Sequence, residues 1–249
     1  MLSIKQDNNV LKINIFGVKI SFNKKNSSKC LPIVDTFLIN QKTFFYKYFV
    51  QPFVWSKNSI KKYRMLEIGP GTKRIDDFEG LNIVKNDATD YIADVAKGIP
   101  LPDESFDLIY SSHFLEHIEW FKTKAVLREV FRVLKSGGVL ELWVPDGLKI
   151  AKAFCDAELS GDDSFKEDNW WRFNDSHDPC VWANGRIFTY GNGKYIKGHW
   201  NSHLSLFSER YLRLLLSDVG FTDIEKMPKE KYRGKGHDFI NLGLIAKKG

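Results

Sequence analysis

A chain of 249 residues, 43% hydrophobic and 27% charged, has the composition of a water-soluble globular protein and the length of one large domain with room for an appendage. It contains no run of about 18 apolar residues, and its start, MLSIKQDNNV, lacks an apolar centre, so neither a membrane span nor a leader is expected and the expected location is cytoplasmic. The net charge of +6 admits nucleic acid, a membrane surface or a phosphate-bearing substrate, but the basic residues are scattered, which reads first as a solvated surface; Cys30, Cys155 and Cys180 form no CxxC pair and predict neither disulfides nor a zinc knuckle.

Residues 10–22, VLKINIFGVKISF, alternate apolar and polar positions around Gly17 and predict a two-stranded ribbon or one strand bent by a bulge. Residues 31–62 hold Phe37, Phe44, Phe45, Tyr46, Tyr48, Phe49, Phe53 and Trp55 and predict a helix broken near Pro52. Aromatics this dense read first as core or a subunit contact, and otherwise as a flap over a site or a surface for a partner. Residues 1–60 are thus predicted to be an N-terminal appendage of β-ribbon and aromatic-rich helix, and residues 61–249 the main domain.

From residue 63, short apolar runs alternate with helical patterns, as in a mostly parallel sheet with crossover helices. Strands are expected at 63–68, 81–84, 90–94 and 106–112, then a helix over 122–135 stopped by Ser136-Gly137-Gly138 in a left-handed cap, then a fifth strand at 139–145. Residues 151–205, rich in Gly, Asn, Trp and His, break this rhythm and are expected to form an inserted region of loops and short helices. Ser208 should cap a helix that Gly220 ends, and two strands near 221–227 and 239–248 complete the set.

The stretch YRMLEIGPGTKR puts Glu67, Gly69, Pro70 and Gly71 at the carboxyl end of the first of these strands, where open α/β sheets bind ligands. A dinucleotide fingerprint would require Gly or Ala at position 74, which is Arg74, and a Gly-Lys-Ser/Thr phosphate loop is absent.

The blocks LEIGPGTKR, ADVAKGIPLPDESFDLIYSSHFLEHI, LREVFRVLKSGGVLELWVPD and LFSERYLRLLLSDVGFTDIE together resemble, in order, the motifs of the class I S-adenosylmethionine-dependent methyltransferases called type 11. The resemblance implies an α/β Rossmann-like fold: a mostly parallel seven-stranded sheet with helices on both faces, here with an appendage and a substrate-shaping insertion after the fifth strand. It implies S-adenosylmethionine as cofactor, with S-adenosylhomocysteine as product and no metal. By the same resemblance Glu67 meets the methionine ammonium, Gly69, Pro70 and Gly71 pass beneath the donor, Asp94 lies near the adenine amino group, and Ser111, Ser112 and His113 flank the methionine portion.

Two positions depart from the family pattern. Lys73 stands where a third glycine is common, and the second strand, drawn to end at Val84, lacks the acid that usually accepts from the ribose hydroxyls. Asp87 can substitute if that strand runs longer; otherwise it starts a turn.

Methyl transfer needs alignment of donor and nucleophile and, for a hydroxyl acceptor, removal of a proton, for which histidine is the natural base. His113 and His117, with Glu116, follow the fourth strand; His113 is the preferred base, His117 fits a structural role equally well, and His199 is a further candidate. Asp146, His177, Trp200 and His203 are candidates to contact the acceptor, each with the plainer alternative of a surface or loop residue. The spacings Asp175-x-His177-Asp178 and His199-x-x-x-His203 would suit a metal, but the sequence offers no identifiable third and fourth ligand, and none is expected.

INIFGVKISF followed by lysines, joined to this core, resembles methyltransferases of bacterial capsule and lipopolysaccharide synthesis. That implies O-methylation of a sugar or of a nucleotide- or lipid-linked sugar intermediate, a small-molecule glycan-related acceptor, and compatibility with peripheral membrane association and a homodimer. The first rival is an RNA or other methyltransferase, although SSHFLEH replaces the N/D-P-P-Y/F-type motif of many amino-group base methylases and no RNA-binding module is evident. The second is a non-catalytic binding protein, with Lys73 and Val84 marking a decayed donor site.

Overall fold

The structure, a computed structural model, describes residues 2–7, 10–15, 18–23, 43–189, 201–233 and 239–249, in two compact units, Met1–Phe49 and Val50–Gly249. The smaller unit holds β1 (Leu2–Asp7), β2 (Val10–Ile15) and β3 (Val18–Asn23), an antiparallel meander in which Leu2 pairs with Ile15 and Val10 with Asn23. The ribbon expected at 10–22 is β2 and β3; β1, whose short LSIKQD pattern offers only Leu2 and Ile4 as apolar positions, is an addition to it. Phe44, Phe45, Tyr48 and Phe49 are exposed and so are not core residues, while Trp55 packs against the main core; Phe44 lies tilted against Tyr48 and Phe45 stacks on Phe49.

In the larger unit a π-helical turn ends at Val50, where α1 (Gln51–Ser59) begins with Pro52 in its first turn. The helical geometry thus changes beside Pro52, which lacks an N–H and is tolerated where that N–H has no intrahelical partner. Although the sequence assigns α1 to the appendage, it packs on the sheet edge of the larger unit. The Asn58 amide donates to Tyr91 Oη at 3.2 Å, and Gln51 Oε1 accepts from the Ile92 amide at 2.9 Å.

The sheet strands are β4 (Met65–Ile68), β5 (Glu79–Asn82), β6 (Tyr91–Ile92), β7 (Phe106–Ser112), β8 (Leu134–Pro145), β9 (Phe221–Lys226) and β10 (Asn241–Lys248). Their order is β6-β5-β4-β7-β8-β10-β9, with the first five parallel and β10 antiparallel to both neighbours. This is a seven-stranded, mostly parallel Rossmann-like sheet. Its order reverses between β4 and β7, a topological switch point outside whose strand ends ligands bind.

Two strand boundaries differ from expectation. β5 ends at Asn82, two residues before Val84, because Gly80 lies so near the Ala88 carbonyl that no side chain fits there and the chain turns away immediately afterwards. α2 (Thr123–Val133) stops before Leu134, and Ser136-Gly137-Gly138, expected as a cap, lies in a bulged entry to β8; the chain must leave the helix because Leu134 already pairs with Phe106.

Val126, Leu127, Val130 and Val133 on α2, with Leu212, Leu215 and Leu216 on α5 (Glu209–Val219), cover Leu66, Ile68, Ile109, Leu140 and Leu142 in the main core. Ser208 caps α5 through its side chain and Gly220 ends it with a left-handed turn, both as expected. The insertion begins as α3 (Gly147–Ser160), continues through a 3-10 turn at Ser164–Asp168 and includes α4 (Pro179–Phe188). It builds its own core on Ile150, Phe165 and Trp182, where Asp168 accepts from both Trp182 Nε1 at 2.8 Å and Arg186 Nε at 2.5 Å.

A buried ion pair ties β4 to β5. Arg64 reaches Glu79 with Nε at 3.0 Å and Nη2 at 2.8 Å, and Tyr91 Oη donates to the same carboxylate at 2.6 Å. The Arg64 guanidinium lies between the rings of Trp55 and Phe106, which exclude water from it.

Candidate active site

The turn after β4 is shaped by its own residues. Gly69 and Gly71 have φ of +76° and +61°, conformations that side-chain-bearing residues rarely adopt, and a Cβ on Gly69 would lie 2.9 Å from the Phe114 ring. Pro70 is buried, whereas Gly71 faces open space and Lys73 is exposed. Among the described residues no helix follows this turn before β5. Side chains hold the 69–78 connection instead: Glu67 Oε2 accepts from the Ile75 amide at 2.7 Å, and the amide groups of Asn82 and Asn86 both donate to the Gly71 carbonyl, at 3.2 and 2.7 Å. Arg74 pairs with Asp90, whose carboxylate also accepts from the Gly80 amide. Burial pushes the Glu67 carboxyl above its ordinary pKa, against the opposing pull of the Ile75 amide and of Arg74.

Across the switch point, Ser111 pairs in register with Ile68, and its hydroxyl is buried with no hydrogen-bond partner among the described residues. Ser112 shares a hydrogen bond of 2.8 Å with Tyr232 Oη. His113 has φ of +49°, a left-handed conformation uncommon outside glycine, immediately after β7. Its Nε2 meets Asn241 Oδ1 at 2.8 Å and its Nδ1 meets Glu116 Oε1 at 3.3 Å.

Glu116 is 1% exposed and is approached by three histidines. Residues 202–205 run beside it, with the amides of Leu204 and Ser205 donating to its backbone carbonyl at 2.7 and 3.1 Å. This brings His203 to His117, their ring centres 5.0 Å apart. Burial alone would raise the Glu116 pKa, but the His113 hydrogen bond and the fields of His113, His117 and His203 outweigh it and hold the carboxyl below its ordinary range. Burial lowers the His203 pKa, and the attraction of Glu116 only partly offsets this.

Both shifts have the same sign for stability. A group whose pKa is depressed in the folded state takes up protons on unfolding, so its contribution is present above the ordinary value and lost as pH falls. The melting temperature should therefore fall as pH drops below about 6.5 through His203 and further below about 4.5 through Glu116. In His203→Gln the upper phase should flatten; an unchanged wild-type melting temperature between about pH 7.5 and pH 5.5 would contradict the buried, neutral histidine.

Residues 66–142 match the family model described as a methyltransferase domain. The matched stretch runs from β4 into β8 and so contains the glycine turn, the switch point, Glu116 and His117, while His203 lies outside it. Several solved structures are similar to this chain at low identity. A Thermotoga maritima S-adenosylmethionine-dependent methyltransferase, described as a possible histamine N-methyltransferase, is 17% identical over 88% of this chain and 97% of its own, with a TM-score of 0.42. An Archaeoglobus fulgidus S-adenosylmethionine-dependent methyltransferase is 15% identical over 86% and 99%, at 0.41. The carbon methyltransferase of CurJ is 15% identical over 84% of this chain and 58% of its own, at 0.44. Likenesses this distant carry no information on the acceptor. No curated protein matches the chain.

Within the matched stretch, Glu67, Gly69, Pro70, Gly71, Ser111, Ser112 and His113 gather at the ends of β4 and β7. Asp87 does not join a strand end: β5 stops at Asn82, and Asp87 is exposed in a turn that Asn86 closes by accepting from the Ala88 amide at 2.9 Å. Asp94 caps the turn at Val95–Lys97, accepting from the Ala96 amide, and pairs with Lys97 at 3.0 Å. Asp146 caps α3 through the Leu148 and Lys149 amides, and Asp178 caps α4, so the Asp175-x-His177-Asp178 spacing is a helix start. His177 is exposed and stacks on Trp171 at 4.0 Å, without a described contact to the Glu116 cluster. His199 and Trp200 lie outside the described residues.

The sequence reading missed Asn82, Asn241 and the pairing of His203 with Glu116. Gly80, between Glu79 and Leu81 and two residues before Asn82, was a usable signal for the strand end. The acid in LEHI, between two buried apolar residues, was a signal for Glu116; nothing local connects it to position 203.

Proposed function

We propose that the protein transfers a methyl group from S-adenosylmethionine to a hydroxyl of a sugar or of a nucleotide- or lipid-linked sugar intermediate. The observation that carries the donor reading is the glycine turn after β4 facing Ser111–His113 after β7 across the switch point of a methyltransferase domain. The residues fit the donor: Gly71 faces open space, and the buried Ser111 hydroxyl has no partner among the described residues. The sulfonium, when bound, supplies a methyl group already activated for in-line displacement. Glu67 would meet its ammonium, and Asn82, at the end of β5, would take the ribose hydroxyls in place of an acid, its amide able to donate and accept. The basic surface and the N-terminal pattern support a phosphate-bearing glycan acceptor.

His113 is assigned to proton removal. Glu116 orients its ring through Nδ1, and Nε2, which donates to Asn241 Oδ1 in this structure, must give up that proton and that partner before it can accept from the acceptor hydroxyl. His113→Ala should lower turnover about 10²-fold or more while donor affinity stays within about twofold; unchanged turnover would move proton removal elsewhere.

One observation favours a second reading, a non-catalytic binder: the second-strand acid is absent, and Asn82 spends its amide on the Gly71 carbonyl. Titration calorimetry with S-adenosylmethionine separates the two, since no heat at millimolar donor would sink the transferase. A screen of nucleotide sugars and glycan fragments with labelled donor then tests the acceptor, and labelling of RNA but of no glycan would replace it.

A further inference from the structure

We infer that Glu116, His117 and His203 bind a divalent transition-metal ion of the zinc class, held by two imidazole nitrogens and one carboxylate oxygen with a position left open. The inference is independent of the methyl-transfer reading. One potential ligand atom from each residue lies within 4.8 Å of the other two. His117 and His203 are partly buried, and Glu116 is buried.

The hydrogen bonds around the three groups define which atoms face the ion. His117 Nδ1 lies 3.1 Å from the Ser202 carbonyl, and His203 Nδ1 lies 3.0 Å from the Arg186 carbonyl. A carbonyl only accepts, so both Nδ1 atoms carry the proton and both Nε2 atoms present lone pairs. Donation from the other ring nitrogen to a backbone carbonyl is how proteins orient a metal-binding imidazole and raise its basicity. Among the described residues neither Nε2 has a hydrogen-bond partner.

Glu116 completes the set. His113 holds its Oε1 at 3.3 Å, and no described donor reaches its buried Oε2. A bare carboxylate oxygen away from water is costly, and two neutral imidazoles that spend their protons elsewhere cannot relieve it. A cation relieves the oxygen and both lone pairs together. Two nitrogens and one oxygen suit zinc and its first-row neighbours, whereas calcium and magnesium demand all-oxygen shells. Around a tetrahedral ion with bonds near 2.0 to 2.1 Å the ligand atoms sit about 3.3 Å apart. The side chains therefore draw in by no more than about 1.5 Å, within reach of small χ adjustments.

The test uses the full chain, stripped with EDTA, dialysed and titrated with Co²⁺. The visible bands of tetrahedral cobalt should appear, saturate at one equivalent and vanish when Zn²⁺ is added. His203→Asn should weaken cobalt binding by more than about 100-fold, and His113→Ala, which frees Glu116 Oε1, by about 10- to 100-fold. X-ray absorption on the zinc-loaded wild type should report two imidazoles with oxygen ligands and needs no variant, so a variant that fails to fold leaves the test standing. The assignment is overturned by an absence of cobalt bands at millimolar metal, by thiolate ligation that puts the metal on a cysteine, or by a folded His203→Asn that binds as the wild type does.

Discussion

Arg64→Ala should cost about 3–5 kcal/mol of folding stability, the usual result of removing one partner from a buried ion pair. Glu79, 1% exposed, would keep its charge and lose two hydrogen bonds, and Lys61, at 3.7 Å and largely in water, screens it poorly. Replacing both residues, Arg64→Met with Glu79→Met, should recover much of the loss, since a well-packed apolar pair of similar volume competes with an ionic one. Urea unfolding of the three variants checks this; a single-variant loss under about 1 kcal/mol would mean the pair does not anchor β4 to β5.

Gly69→Ala is expected to have the second large effect, about 2–5 kcal/mol, and to abolish measurable donor binding. Two separate terms add. The left-handed φ costs a side-chain-bearing residue about 1–2 kcal/mol, and a Cβ 2.9 Å from Phe114 forces a shift costing about 1–3 kcal/mol. Gly71→Ala is the control: it shares the positive φ but has no neighbour within 4 Å, so only the conformational cost, about 1–2 kcal/mol, applies. Equal losses in the two variants would show that crowding against Phe114 is not what demands glycine at 69.

The outline of the sheet was legible because its signals are local. The periodicity of 122–135, the cap at Ser208, the end at Gly220 and the short apolar run at 106–112 each depend on neighbours a few positions away. β5 was misplaced because LNIV looks more strand-like than EGLN, and only the approach of Gly80 to Ala88 in three dimensions decides between them. At the candidate site the glycine turn and Ser111–His113 were legible as motifs. The Glu116 cluster was not, because His203 reaches it only through backbone hydrogen bonds from residues 204 and 205 to Glu116, a pairing that no spacing rule encodes.

The missing helix after the glycine turn has a kinetic consequence. In a helix the backbone of such a connection would open only when many hydrogen bonds break together, whereas here residues 69–78 are fastened by a few latches from Glu67, Asn82 and Asn86. The segment can unfasten while the strands beside it stay intact. Its amides should exchange with solvent deuterium faster than those of β4 and β7, and the release rate of anything seated on Gly71 should follow the two asparagine amides that compete for its carbonyl.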